Sequence, residues 1–228
     1  MSWSNLPFII SHNLRNPVAN ILGINDLLKG QNINAKEQAS LLEGLSHSVE
    51  KLDSIIVDLN NIMQAKQSVN ENREFVAFGK LVDDVTYSVQ NIVDASAATI
   101  LCDFGGALGM NTVKSYLYSI FYNLITNSLK YRRADVLPVI TIKSGHVGDG
   151  IVIEFADNGI GIDLERKGSQ VFGLYKRFHA GLAEGKGLGL FMVKTHVETL
   201  GGKIEISSKV NEGTVFTIRF DAAAVVQL

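Results

Sequence analysis

Four stretches of this sequence carry side chains whose types and spacing could do chemistry. In "YNLITNSLKY", Asn123, Asn127 and Lys130 fall at i, i+4 and i+7, one polar stripe beside the apolar Leu117, Ile120, Phe121 and Leu124. An asparagine carbonyl oxygen is a hard, neutral ligand suited to Mg²⁺, which takes few protein ligands and fills its shell with water and phosphate oxygens. A solvated helix face would show the same stripe, so the pattern leaves both readings open. "FADNGIGID" ends a strand-like run on Asp157. Asp-Asn-Gly is a tight-turn signal; the alternative makes Asp157 a fixed acceptor for an exocyclic amine, with Gly159 and Gly161 letting backbone pass close to a ring. "EGKGLGLFMVK" sets Gly185, Gly187 and Gly189 just before a helical pattern, whose positive amide end is an anion site. Its spacing is neither that of a Walker loop nor that of a dinucleotide fingerprint, so a phosphate bound there implies another fold. Finally, "SHNLRNPVAN" puts Pro17 five residues after His12, inside an otherwise helical run. An interior proline costs ~3 kcal/mol or more. Something near His12 should justify it.

The elements that must position these groups follow from composition and periodicity. The chain has 228 residues, 46% of them hydrophobic and 19% charged, enough for a sizeable core in one or two domains. A formal charge of -2 gives no electrostatic case for a nucleic-acid partner or an acidic membrane surface, so any phosphate chemistry is local. The one cysteine, Cys102 in "TILCDF", excludes an internal disulfide and a cysteine zinc cluster and reads as a small buried apolar residue. No apolar run reaches the ~18 residues of a membrane helix, and "MSWSNLPFII" lacks the marks of a signal peptide, so the chain reads as soluble. Its helical pattern is already running by Leu6, as in a piece excised from a longer protein. His47, His146, His179 and His196 show no metal-ligand spacing and read as surface or partly buried polar residues, and Trp3 as packing.

Residues 5–29 read as a helix, with Ile10, Leu14, Ile21, Ile24 and Leu28 on one face. In "NAKE", Asn34 and Glu37 have capping-box spacing, and Leu41, Leu45, Leu52, Ile56, Leu59 and Met63 then trace a seam that Ser48 breaks. Two long helices with a short connection make a hairpin that cannot cover both its faces. A second copy would complete a four-helix bundle, hence a homodimer. The polar stretch 64–74 reads as a linker with a domain boundary near Asn72. Beyond it the expected order is a helix over 79–91, a strand at "TILCDF", a helix over 113–131, strands over 138–144 and 150–156, a loop region, a helix over 190–200, and strands over 203–208 and 214–220. This is an α+β layer.

Taken in order along the chain, these stretches resemble the sensor histidine kinases of two-component signalling. "SHNLRNP" is similar to the phosphoacceptor box, "NLITNSLKY" to the N box, "DNGIGI" to the adenine-binding box, "VFGLYKRF" to the lid phenylalanine box and "GKGLGL" to the last glycine box. The resemblance implies a multidomain α+β protein: a dimerisation and phosphotransfer hairpin over 1–68, then a GHKL-type α/β sandwich over 73–228 that binds ATP with Mg²⁺. It implies that His12 is phosphorylated, that Asn127 is the Mg²⁺ ligand, and that Asn123 and Lys130 lie near the phosphates with Tyr131 beside the nucleotide. By the same resemblance Asp157 binds the adenine amine and Gly159 and Gly161 shape its pocket. Phe172 anchors a lid, Arg177 reaches the terminal phosphate, and Gly185, Gly187 and Gly189 frame the phosphate loop. The implied partner is a response-regulator receiver domain, with an upstream sensor domain outside this chain. The expected location of the catalytic core is cytoplasmic, membrane attachment of the full-length protein being left open.

One position departs from the family pattern. The residue after the histidine is usually Glu or Asp and takes up the imidazole proton; here it is Asn13, which can orient a ring but cannot accept that proton. Loss of such a base lowers the rate by ~10²-fold or more. Asn16, one turn beyond His12, fits the position where the family holds a water for dephosphorylating a partner. Pro17 would weaken the helix that carries His12 and ease its rearrangement, or else only mark a helix start. Two rivals stand beside the kinase: a nucleotide-binding signalling scaffold without phosphotransfer, and another GHKL ATPase.

Overall fold

The computed structural model describes residues 6–29, 33–67, 72–174 and 187–221. The chain divides into two compact units, Met1–Gln64 and Ala65–Leu228.

The first unit is built on two helices, α1 (Leu6–Leu28) and α2 (Ala35–Gln67). α1 runs unbroken through Pro17, which is buried, so the proline lies inside the helix rather than at its start. α2 opens with the reciprocal cap that "NAKE" predicts: the Glu37 amide donates to Asn34 Oδ1 at 2.9 Å and the Asn34 amide to Glu37 Oε2 at 3.1 Å. The seam differs from the expected one. Leu41, Leu45 and Leu52 are half-buried while Ser48 and Ile55 are buried, a 4-3-4-3 row that passes through Ser48. Its hydroxyl donates to the Gly44 carbonyl at 2.8 Å, so a serine sits in an apolar row without an orphaned group. A second row, Leu42, Val49, Ile56 and Met63, is spaced by sevens and lies at 47%, 49%, 47% and 57% exposure. α2 also continues to Gln67, so residues 64–67 of the expected linker are helical.

The second unit has a two-stranded antiparallel ribbon, β1 (Glu74–Ala77) with β3 (Gly109–Thr112), and a five-stranded sheet. The sheet order is β2 (Thr99–Asp103), β4 (Val139–Val147), β5 (Gly150–Asp157), β7 (Gly213–Phe220), β6 (Gly202–Lys209). β2 runs parallel to β4 and the other neighbours are antiparallel. α3 (Phe78–Ser88), α4 (Gln90–Ser96), α5 (Lys114–Lys130) and α7 (Gly189–Thr199) are its main helices, with a one-turn α6 (Leu164–Lys167). Alternate strand residues, Ile140 and Ile142, Ile151, Ile153 and Phe155, Phe216, Ile218 and Phe220, share one core with Leu117, Ile120, Phe121 and Leu124 of α5 and Val193 and Val197 of α7. Phe121 meets Phe155 edge to face at 4.8 Å. The architecture is the expected α+β layer.

Four local expectations change. The helix expected over 79–91 ends at Ser88, where the Val89 amide turns back to Thr86 and Tyr87 and a separate α4 follows. β1 and β3 were not expected at all; each is four residues long, too short for a period to show. Cys102 is exposed rather than buried, because β2 is an edge strand. His196 is buried and stacks on Tyr116 at 4.7 Å, whereas His47 is exposed. Trp3, His179, Arg177 and Gly185 lie outside the described residues.

Candidate nucleotide site

α5 presents one buried face to the sheet and α7, and the half-buried Asn123, Asn127 and Lys130 along its edge. Asn123 Nδ2 donates to the Ser119 carbonyl at 2.8 Å and reaches Ser119 Oγ at 3.3 Å, which leaves its Oδ1 turned toward the first residue of α7. A Cβ added to Gly189 would lie 2.9 Å from Asn123 Oδ1 and 3.6 Å from Asn127 Nδ2. The two amides and Gly189 therefore form a cradle that a side chain would fill. The residue before α7 is Leu188, which makes no side-chain cap. Gly187 precedes it in the left-handed region at φ 73°.

Asp157 ends β5, where the ladder sets it opposite Ile140 and Thr214. The Gly159 amide donates to its Oδ1 at 2.9 Å, which is the tight turn the sequence predicts. The same carboxylate has a second partner that no local pattern announces: Ser128 Oγ, 29 residues away on α5, lies 3.0 Å from its Oδ2. Burial pushes the Asp157 carboxyl above the ordinary carboxylate range, while hydrogen bonds from the Gly159 amide, the Ser128 hydroxyl and the Thr214 amide pull it back.

The turn is laced to the end of α5. The Ile160 amide donates to the Tyr131 carbonyl at 2.9 Å, and a Cβ on Gly159 would meet that oxygen at 2.6 Å. Gly161, at φ 64°, passes Lys209 so closely that a Cβ would lie 2.0 Å from its carbonyl oxygen. Asn158, unremarked in the sequence, braces the start of β4: its Oδ1 accepts from the Val139 amide at 2.9 Å and its Nδ2 donates to the Leu137 carbonyl at 2.9 Å.

An open cavity of about 700 Å³ adjoins this turn, lined by Lys130, Tyr131, Arg132, Arg133, Ile160 and Asn211 among others. Its volume is that of a ligand pocket. Of the predicted residues, Lys130 and Tyr131 line it, whereas Asn123, Asn127 and Asp157 do not. Lys130 Nζ lies 5.2 Å from the Tyr131 ring centroid. Arg133, which sequence reasoning passed over, donates to the Asn211 carbonyl and lies 3.8 Å from Asp135. Phe172 meets Phe216 of β7 at 6.5 Å and sits under Lys194 Nζ at 5.7 Å, between buried Val171 and Gly173.

His12 and Asn13 lie on α1, five and four residues before Pro17; Asn13 is half-buried and Asn16 exposed. Among the described residues no helix is long and apolar enough to cross a membrane.

Residues 112–224 match the family described as "Histidine kinase-, DNA gyrase B-, and HSP90-like ATPase". The chain is 26% identical over 220 residues to the autoinducer 2 sensor kinase/phosphatase LuxQ of Vibrio parahaemolyticus, a match that takes in 92% of this chain and 25% of that protein. It thus spans about a quarter of that relative's length. Among solved structures, the Acinetobacter baumannii histidine kinase AdeS superposes with a TM-score of 0.64 at 22% identity, over 92% of this chain and 98% of that one. The histidine kinase ThkA, solved in complex with the response regulator protein TrrA, gives a TM-score of 0.66 at 16% identity, over 95% and 60%.

Proposed function

We propose, for a chain that belongs to the sensor histidine kinases and carries their GHKL-type ATP-binding domain, that it transfers the γ-phosphoryl group of ATP to His12. From there the group passes to an aspartate of a response-regulator receiver domain. The observation that carries the reading is the arrangement along α5. A carboxylate held by neutral donors stands beside Ser128, and the amides of Asn127 and Asn123, one and five residues back and so ~1.5 and ~7.5 Å along the axis, face the first residue of α7. An acceptor for a base amine at one level and donors for phosphate at the other suit an adenine nucleotide lying along the helix.

In this reading Asp157 takes the adenine amine, and Gly159 and Gly161 bring the turn against the ring. Tyr131 lies beside the nucleotide, Lys130 and Asn123 serve the phosphates, and Arg177 reaches the terminal one. Phe172 anchors the lid, and Gly185, Gly187 and Gly189 frame the phosphate loop. The cradle at Gly189 fits Mg²⁺: its donors are neutral amides, and among the described residues no three His, Cys, Asp or Glu side chains could hold a metal alone. A Mg²⁺ ion on Asn127 and the phosphates would neutralise charge on the transferring group. The His12 nitrogen bonds the γ-phosphorus as the bond to the bridging oxygen of ADP breaks, and the ring then gives its proton to water, since Asn13 cannot take it.

Residues 1–68 form the dimerisation and phosphotransfer hairpin in this proposal, and 73–228 the catalytic domain. The exposed row Leu42, Val49, Ile56 and Met63 supports a second copy completing a four-helix bundle, since a heptad-spaced apolar row is a coiled-coil seam without its partner. A receiver domain is the partner, by likeness to the ThkA complex; a sensor domain upstream supplies the signal, and the ATP requirement places this core in the cytoplasm. Asn16 suits a water-holding role in dephosphorylating that receiver domain. Asn13 favours a second reading, a nucleotide-binding scaffold with weak or no autokinase activity. Labelled ATP and Mg²⁺ decide between them: an acid-labile label on the parent that His12→Ala lacks supports the kinase, and nucleotide binding without label supports the scaffold.

A further inference from the structure

We propose that Ser128 is a positioning residue for base selection: its hydroxyl, bonded to Oδ2 of Asp157, fixes the carboxylate so that the site accepts a 6-amino purine and rejects a 6-oxo purine. This rests on the reading of the second unit as an ATP-binding domain. The terminal torsion of an aspartate is soft, so the Gly159 amide on Oδ1, a bond within the same turn, does not by itself fix the carboxylate plane. Ser128 comes from a different element and holds the other oxygen at 3.0 Å. With the Thr214 amide, these anchors on both oxygens fix the plane.

The character of these anchors matters as much as their number. The Gly159 amide, the Ser128 hydroxyl and the Thr214 amide are all neutral donors, so the ionised carboxylate keeps its charge and some of its four or so lone-pair sites for a ligand. An acceptor-only group reads a donor. Adenine offers an amine at its 6-position, while hypoxanthine and guanine place an oxygen there. Ser128 Oγ also lies 3.1 Å from the Leu124 carbonyl, but a charged acceptor holds the single hydroxyl proton more strongly. Alanine at position 128 removes that proton and little else, because it suits a buried helix position better than serine does.

The experiment measures dissociation constants of ATP and inosine triphosphate with Mg²⁺ on the full chain, by calorimetry. The parent, Ser128→Ala, Ser128→Thr, Asp157→Asn and the Ser128→Ala/Asp157→Asn double variant are compared. The parent should prefer ATP by ~10-fold or more. Ser128→Ala should weaken ATP by ~5-fold and leave inosine triphosphate unchanged, and Ser128→Thr, which keeps the hydroxyl, should retain the parental ratio. In the Asp157→Asn background Ser128→Ala should not move the ratio further. Equal weakening of both nucleotides, as loss of a merely structural contact would give, overturns the role of Ser128 alone. So does an equal change of ratio in both backgrounds. A parent that binds neither nucleotide overturns the ATP-binding reading and the proposal with it.

Discussion

Gly189→Ala separates stability from ligand binding at this site. Gly189 is the first residue of α7 and is not in the left-handed region, so alanine meets no backbone strain there and gains ~0.5–1 kcal/mol of helix preference. Against that, its Cβ would stand 2.9 Å from Asn123 Oδ1, which must shift by a few tenths of an ångström and disturb the bonds from Asn123 Nδ2 to Ser119. One such hydrogen bond is worth ~0.5–1.5 kcal/mol. The two effects nearly cancel, so the unfolding midpoint should move by no more than roughly 4 °C. The ligand sees a different balance, because the new methyl occupies the cradle between both asparagines and the helix end. ATP affinity should fall ~10-fold or more, through displacement of hydrogen-bonding groups on a charged ligand. Differential scanning calorimetry and nucleotide titration on the same sample check both halves. ATP binding within twofold of the parent, with unfolding unchanged, would refute the idea that these amides and α7 face the phosphates.

Gly161→Ala makes the opposite case. At φ 64°, with a Cβ 2.0 Å from the Lys209 carbonyl oxygen, it should cost at least ~2 kcal/mol of stability, read as a lowered denaturation midpoint of the second unit. Ile56→Glu should yield a monomer by sedimentation with helical content retained, because in a symmetric pair the side chain counts twice, ~3–6 kcal/mol of lost burial. Asn13→Glu should raise the rate of His12 labelling if the missing base limits it, and an unchanged rate points to another limiting step. For Asp157, burial raises the folded carboxyl above its ordinary 3.8, so the folded chain holds this proton to higher pH than the unfolded chain. Its favourable contribution is complete below that ordinary value and is lost as pH rises through the raised one. The melting temperature of the nucleotide-free parent relative to Asp157→Asn should therefore decline as pH rises from below 3.8 toward neutrality, and a gap that widens in the parent's favour contradicts the burial argument.

Periodic elements were legible because period is what a sequence displays. α1, α2, α5 and the alternating β5 and β7 lie close to their expected bounds, and the Asn34–Glu37 cap forms as its spacing requires. What the sequence hid is either too short to have a period or joined across long separations. β1 starts on the last residue of the run that reads as linker and finds its partner β3 only through the fold. The break at Val89 carries neither glycine nor proline to announce it. Ser48 reads as an interruption of the α2 seam because its polarity is visible and its bond to Gly44 is not. Cys102 reads as buried because an apolar run does not say which strand is at the edge.

The same distinction explains the site. Its glycines are visible because an absent side chain is itself a signal where backbone approaches backbone, as Gly159 does the Tyr131 carbonyl. The contacts that tune it are not visible: Ser128 follows Asn127 in the sequence with no mark of its own, yet it reaches Asp157 from another element. A carboxylate near the core, raised by burial and held among the described residues by neutral donors, is a poor design for stability alone, since an arginine or lysine partner would offset the same burial. It is a sound design for a group that must keep acceptor capacity for something that arrives later. The amide end of α7, to which Leu188 adds no side-chain cap, has the complementary property of offering donors. An acceptor and a helix amide end set along one helix suit a ligand with a donor at one end and anionic charge at the other.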